Sequence, residues 1–127
     1  MPPSFAKDAA REHVDEKALR ATIARAERGL IDARLGFALI KQRIPRPGQG
    51  RSGGFRTIIA YVQGEIAVFL HLFAKSTKAT LTRTETDEYR ALAGFLARLG
   101  DDHLARLASE RGWRRIDHDD RENDLSQ

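Results

Sequence analysis

The chain of 127 residues contains no cysteine, which excludes disulfides and thiolate metal sites. No apolar run approaches the roughly 18–20 residues of a membrane span. The opening MPPSFAKDAAREH has no apolar stretch of the kind a secretory leader carries. A single soluble domain in the cytoplasm is expected, long enough to bury a core without staples. The most telling absence is local. Between Asp32 and Glu65 there is no carboxylate side chain. From Ala33 to Arg83, nine cations stand against one anion, Glu65, so this block is +8 in a chain of +4 and the flanks together are −4. A surface built only for solubility mixes both signs. One sign concentrated on a glycine-rich hairpin points to a polyanion, most simply a phosphate backbone.

What is present gives the organisation. Ser4 is placed to cap a first helix, Phe5 to about His13, and Asp15 a second. Ala18, Leu19, Thr22, Ile23, Ala26 and Leu30 then fall at helical spacing, and Gly29 suits the end. Lys17, Arg20, Arg25 and Arg28 form the solvated side of that helix. Leu30 to Gly36 reads as a connector. FALIKQRI changes to strand alternation, with Leu39, Lys41 and Arg43 on one side and Ile40, Gln42 and Ile44 on the other. Pro45, Pro47, Gly48, Gly50, Gly53 and Gly54 mark a loop. Phe55 to Val62 is a strand, Gln63-Gly64 a turn, and Glu65 to Lys75 a long strand. That strand is apolar on both sides, as a central strand would be. The meander has about three strands, with room for a fourth near Leu35–Phe37. After Thr82 the helical period returns. Thr84 with Asp87, or Thr82 with Glu85, resembles a capping box. Tyr89, Leu92, Leu96 and Leu99 form a buried stripe with Phe95 beside it, and Gly100 stops the helix. Asp101 or Asp102 opens a last helix that reaches Gly112. The fold class is α+β, a small twisted antiparallel sheet with N-terminal and C-terminal helices packed on one face. The domain covers residues 1–113, and residues 114–127 form a polar, flexible tail. Its acids Asp117, Asp119, Asp120, Glu122 and Asp124 either mask the basic block or are simply solvated.

Several motifs fail on context. Gly48-Gln49-Gly50-Arg51-Ser52-Gly53 matches G-x-G-x-x-G, but a dinucleotide fingerprint opens a helix and this one opens a strand. A Walker loop fails because Pro45 stands where its first glycine must be. No histidine pair has metal-ligand spacing, and the basic hairpin lacks the carboxylates of a two-metal nuclease. Neither a metal nor another cofactor is expected. Ser52 has no evident histidine partner. Trp113 with Arg114 and Arg115 is more readily a packed helix end than a base-stacking group. His71 lies between Phe69 and Phe73 on one side of the long strand. A lone histidine there is more often a hydrogen-bonded core residue than a base. Pairing about Gln63-Gly64, with partner numbers summing to about 127, puts Arg56 near His71 and Lys75 near Ser52. Arg56, His71 and Lys75 then share one end of the sheet with Arg46 and Arg51. A one-residue slip would turn them to the other side.

KQRIPRPGQGRSGGFRTIIAY followed by FLHLFAKSTKATLT resembles the RelE/HigB-type toxins of bacterial type II toxin–antitoxin modules. The resemblance spans about Leu30 to Leu99. It rests on a K-x-R…R-x-G-x-G-K-x-G-G-[YF]-R block and a later F-A-K. Arg51 stands where the pattern has lysine. Ser76 follows Lys75 where better-studied relatives have arginine, and their nearby tyrosine is absent. The resemblance implies a small α+β fold and cleavage of messenger RNA on the translating ribosome. It also implies neutralisation by a helix-turn-helix antitoxin of the HigA type. Such cleavage uses the neighbouring 2′-hydroxyl and needs no metal. Arg56 would stabilise the phosphorane with its planar fork. Lys41 or Lys75 would move protons. Arg43, Arg46 and Arg51 would bind the RNA backbone. Two alternatives remain at this level: a toxin of the same fold directed at DNA gyrase, and a non-catalytic RNA-binding module.

Overall fold

The computed structural model describes residues 1–36, 38–46, 50–63, 66–74, 81–99 and 101–110, without the side chains of 45, 46, 50–53, 101, 108 and 109. The elements run α1 (Pro3–Arg11), α2 (Glu16–Glu27), β1 (Ala33–Gly36), β2 (Leu39–Arg46), β3 (Gly50–Val62), β4 (Ile66–Ala74), α3 (Arg83–Ala97) and α4 (Asp101–Glu110). The strands form one antiparallel sheet in the order β1-β2-β3-β4. This is the expected α+β class, and the second half of the expected connector is the fourth strand.

Two helix ends share one device. Backbone N–H groups of Gly29 and Leu30 donate to Ala26 and Arg25, closing α2 with Gly29 at φ +86°. His13 and Val14 donate to Ala10 and Ala9 in the same pattern, with His13 at φ +61°. Both are Schellman closures, and the second has a histidine where glycine is usual. The first helix therefore stops two residues before the expected His13. It starts earlier too: Pro2 is its N-cap without a side-chain bond, and Ser4 lies inside it. Proline at the first helical position loses no intrahelical hydrogen bond. The other caps follow the sequence. Asp15 accepts from Ala18 N–H at 2.9 Å. Thr82 and Glu85 form a reciprocal capping box.

The helices occupy both sides of the sheet, not one. Phe5, Ala9, Leu19 and Ala26 pack with Ile40, Ile44, Phe55, Ile59, Tyr61, Phe69 and Leu72. Ala93 and Leu96 of α3 pack with Leu39, Ile58, Ala60, Val68 and Leu70. Strand alternation assigns these sets to opposite sides. Phe5 stacks on Phe69 with ring centroids 5.3 Å apart. Helices on both sides explain why β4 is apolar throughout although it is an edge strand, not the expected central one.

β3 begins at Gly50, so the expected glycine loop is largely strand, with only 47–49 between β2 and β3. The β2–β3 register shifts between Ile44 and Arg46, around Pro45. Proline has no N–H for the ladder and is tolerated at such irregularities. Gln42 is fully buried on the α2 side. Its Oε1 accepts from Asp32 N–H at 2.7 Å, and its Nε2 donates to the carbonyls of Leu30 at 3.2 Å and Thr22 at 3.4 Å. One side chain thus joins α2, the following segment and β2.

Candidate functional site

Register builds the site. Arg43 of β2 lies opposite Arg56 of β3, which lies opposite Phe73 of β4. One row further in, Lys41 lies opposite Ile58, which lies opposite His71. These rows are on the α3 side of the sheet, where Ile58 and Phe73 belong to the α3 core. Lys41, Arg43, Arg56 and His71 are all half-buried.

His71 reaches this side through a β-bulge. The β3–β4 register shifts between Ile58 and Ile59, whose partners are His71 and Phe69, so Leu70 is the extra residue. Strict alternation would keep His71 with Phe69 on the α1 side. The bulge turns it over, and its ring packs 5.5 Å from Phe73 and 5.9 Å from Tyr89 of α3. Its carbonyl accepts from the buried Thr57 hydroxyl at 2.9 Å. The partner numbers near Arg56 sum to 129, not 127. Arg56 therefore faces Phe73 and lies diagonal to His71.

The electrostatics are one-sided. Like charges directly opposed across strands repel, yet Arg43 and Arg56 are so opposed. Arg56 Nη1 is buried and has no hydrogen-bond partner among the described residues. Leaving such a donor unmade costs about 1–3 kcal/mol, more when it is charged. An anion placed against it would satisfy it. Arg43 is held at the sheet margin. Its N–H donates to Asp32 Oδ2 at 2.6 Å, its guanidinium lies 4.0 Å from Asp32 Oδ1, and its carbonyl accepts from Arg25. Arg25, expected on a solvated side, is half-buried for this reason. The Arg43–Asp32 pair is more than a third exposed, so it holds the arginine weakly. Burial, then Glu85 and Glu88, push the Tyr89 phenol above its ordinary range, so it remains an O–H donor. A separate cleft of about 210 Å³ between α1 and the strands includes Asp8 and Glu12 in its lining, an unfavourable setting for a polyanion.

The ladder places Lys41, Arg43 and Arg56 on one side of the sheet, and of the expected group Arg56, His71 and Lys75 it places Arg56 and His71 there. Arg46 pairs with Gly50 on the hairpin, and Arg51 follows on β3, with their side chains outside the description. Lys75, the C-terminal tail and Trp113 lie outside the described residues. His71 joins this side of the sheet through the bulge, a placement that the sequence did not reveal. In VFLHLF every neighbour is apolar, so alternation carries no trace of a bulge. Among the described residues no cluster of three His, Cys, Asp or Glu could hold a metal ion. No helix among them is long and apolar enough to cross a membrane.

Cations in register on the strands of an α+β sheet agree with what the resemblance to RelE-type toxins implies. The family model described as RelE toxin of the RelE / RelB toxin–antitoxin system matches residues 3–116, and the chain belongs to that family. It is a toxin whose counterpart is an antitoxin protein. No curated protein matches the chain.

Proposed function

We propose that this toxin is a metal-independent endoribonuclease that cuts messenger RNA on the translating ribosome in the cytoplasm. The observation that carries the reading is the buried guanidinium nitrogen of Arg56, which has no hydrogen-bond partner among the described residues and is flanked on the same side by Lys41 and Arg43. In the proposed reaction the 2′-oxygen attacks the adjacent phosphorus. The P–O2′ bond forms, the P–O5′ bond breaks, and the ends are a 2′,3′-cyclic phosphate and a 5′-hydroxyl. Arg56 stabilises the charge developing on the phosphorane. Lys41 or Lys75 moves a proton, while Arg43, Arg46 and Arg51 hold the backbone in line. The antitoxin is a helix-turn-helix protein of the HigA type.

The test is primer extension on cellular messages after brief induction in bacteria, with Arg56→Ala alongside. New 5′-hydroxyl ends inside reading frames, absent with the variant, are the expected result. Growth arrest without such ends would favour gyrase as the target. Neither arrest nor ends would leave a non-catalytic RNA-binding module.

A further inference from the structure

We infer that His71 is the general base of this site and Lys41 its general acid, placed on opposite sides of the scissile phosphate. This inference rests on the nuclease reading above. Its geometric basis is the row Lys41–Ile58–His71 across three strands. The two outer residues are two strand spacings apart, each of about 4.8 Å. An in-line displacement keeps its entering and leaving oxygens on opposite sides of phosphorus. Base and acid, each one hydrogen bond of about 2.8 Å beyond its oxygen, must stand correspondingly far apart. Arg56, one row along and on the strand between them, faces the charge that develops midway. Side chains adjacent on one strand could not bracket a phosphate in this way.

The division of labour follows from side-chain chemistry. Imidazole is the side chain whose proton exchange falls near neutral pH, whereas an ammonium group arrives carrying the proton an acid must give. His71 takes the 2′-hydroxyl proton as the P–O2′ bond forms. Lys41 gives a proton to the 5′-oxygen as the P–O5′ bond breaks, and solvent exchange resets both. The bulge at Leu70 aims the imidazole, and Phe73 and Tyr89 pack against it. Neither ring nitrogen has a hydrogen-bond partner among the described residues. Lys41 and Arg56 share its side of the sheet by register, and Tyr89 of α3 packs against its ring.

The experiment uses single-turnover cleavage on ribosomes programmed with two messages. They differ at one bond, a natural 5′-oxygen or a 5′-sulfur in the bridging position. A thiolate leaves without protonation, so sulfur removes the need for the acid but not for the base. With the oxygen message, His71→Phe, which preserves the ring packing, and Lys41→Ala are each expected to lose about 10²- to 10⁴-fold in rate. Sulfur is expected to restore Lys41→Ala to within about tenfold of wild type on the scale of that loss, and to leave His71→Phe slow. An unchanged rate in His71→Phe would overturn the inference while leaving the nuclease reading intact. Rescue of His71→Phe but not Lys41→Ala by sulfur would overturn it too, because the roles would be exchanged. A wild-type protein that cuts neither message overturns both readings.

Discussion

Arg43 and Arg56 sit directly opposite one another on β2 and β3, two cations in register, with Arg56 Nη1 buried and without a partner among the described residues. Folding alone gains nothing from this pairing. Arg56→Met keeps the apolar stem and removes the charge. It is expected to stabilise the fold by about 1 kcal/mol, roughly 3–5 °C in Tm for a chain of this size, while abolishing growth inhibition. Thermal melts beside a plating assay check it, and a destabilised variant would mean that the guanidinium is satisfied within the fold.

Gln42→Leu is expected to cost about 1–2 kcal/mol, because it removes the part-buried hydrogen bonds to the N–H of Asp32 and the carbonyl of Leu30. Urea midpoints at constant slope measure it. Loss of RNA cleavage beyond the loss of folded protein is also expected, since Asp32 restrains Arg43 on the site side of the same strand.

His13 is exposed and left-handed at the end of α1. His13→Gly is therefore expected to raise stability by about 0.5–1 kcal/mol. Gly29→Ala, at the equivalent position of α2, meets no steric neighbour and is expected to lower stability by about 1 kcal/mol from backbone strain alone. Calorimetry of the two variants should move in opposite directions.

The Tyr61 hydroxyl donates to Glu27 Oε2 at 2.6 Å. Burial first, then this hydrogen bond and the charge of Glu27, push the phenol above its ordinary range. The folded state thus holds the proton more tightly than the unfolded chain. The stabilisation is complete below about pH 10 and declines above it, by up to about 1.4 kcal/mol per pH unit for one proton. Tyr61→Phe is expected to be less stable than wild type at pH 8, with the gap narrowing from pH 10 upward. Denaturant titrations at half-unit intervals decide it, and a constant gap would refute the linkage.

Much of this fold was legible because its signals are local. Asp15, Gly29 and the Thr82–Glu85 box mark helix ends by chemistry available within four residues. Alternation in Leu39–Ile44 gave the two sides of β2, and with them Lys41, Arg43 and the buried Gln42. The missing pieces are those that tertiary pairing decides. Gly50 to Gly54 have little intrinsic strand preference, and pairing with β2 imposes it. The His13 closure uses a conformation that most residues avoid. In β4, apolar residues face helices on both sides, so neither its edge position nor the bulge leaves a pattern. The candidate site was correspondingly half readable: Lys41, Arg43 and Arg56 through charge and alternation, and the placement of His71 beside them only through the ladder.

β3 contributes Phe55, Ile59 and Tyr61 to one core and Ile58 and Ala60 to the other, and Arg56 lies within that run. Segments so enclosed open only with the whole molecule. Amide hydrogens around Arg56 should therefore be among the slowest to exchange. No partial loosening of a flap or loop can disarm the arginine proposed as catalytic if it is rooted there. On that proposal, the toxin free of its antitoxin is armed for as long as the domain stays folded.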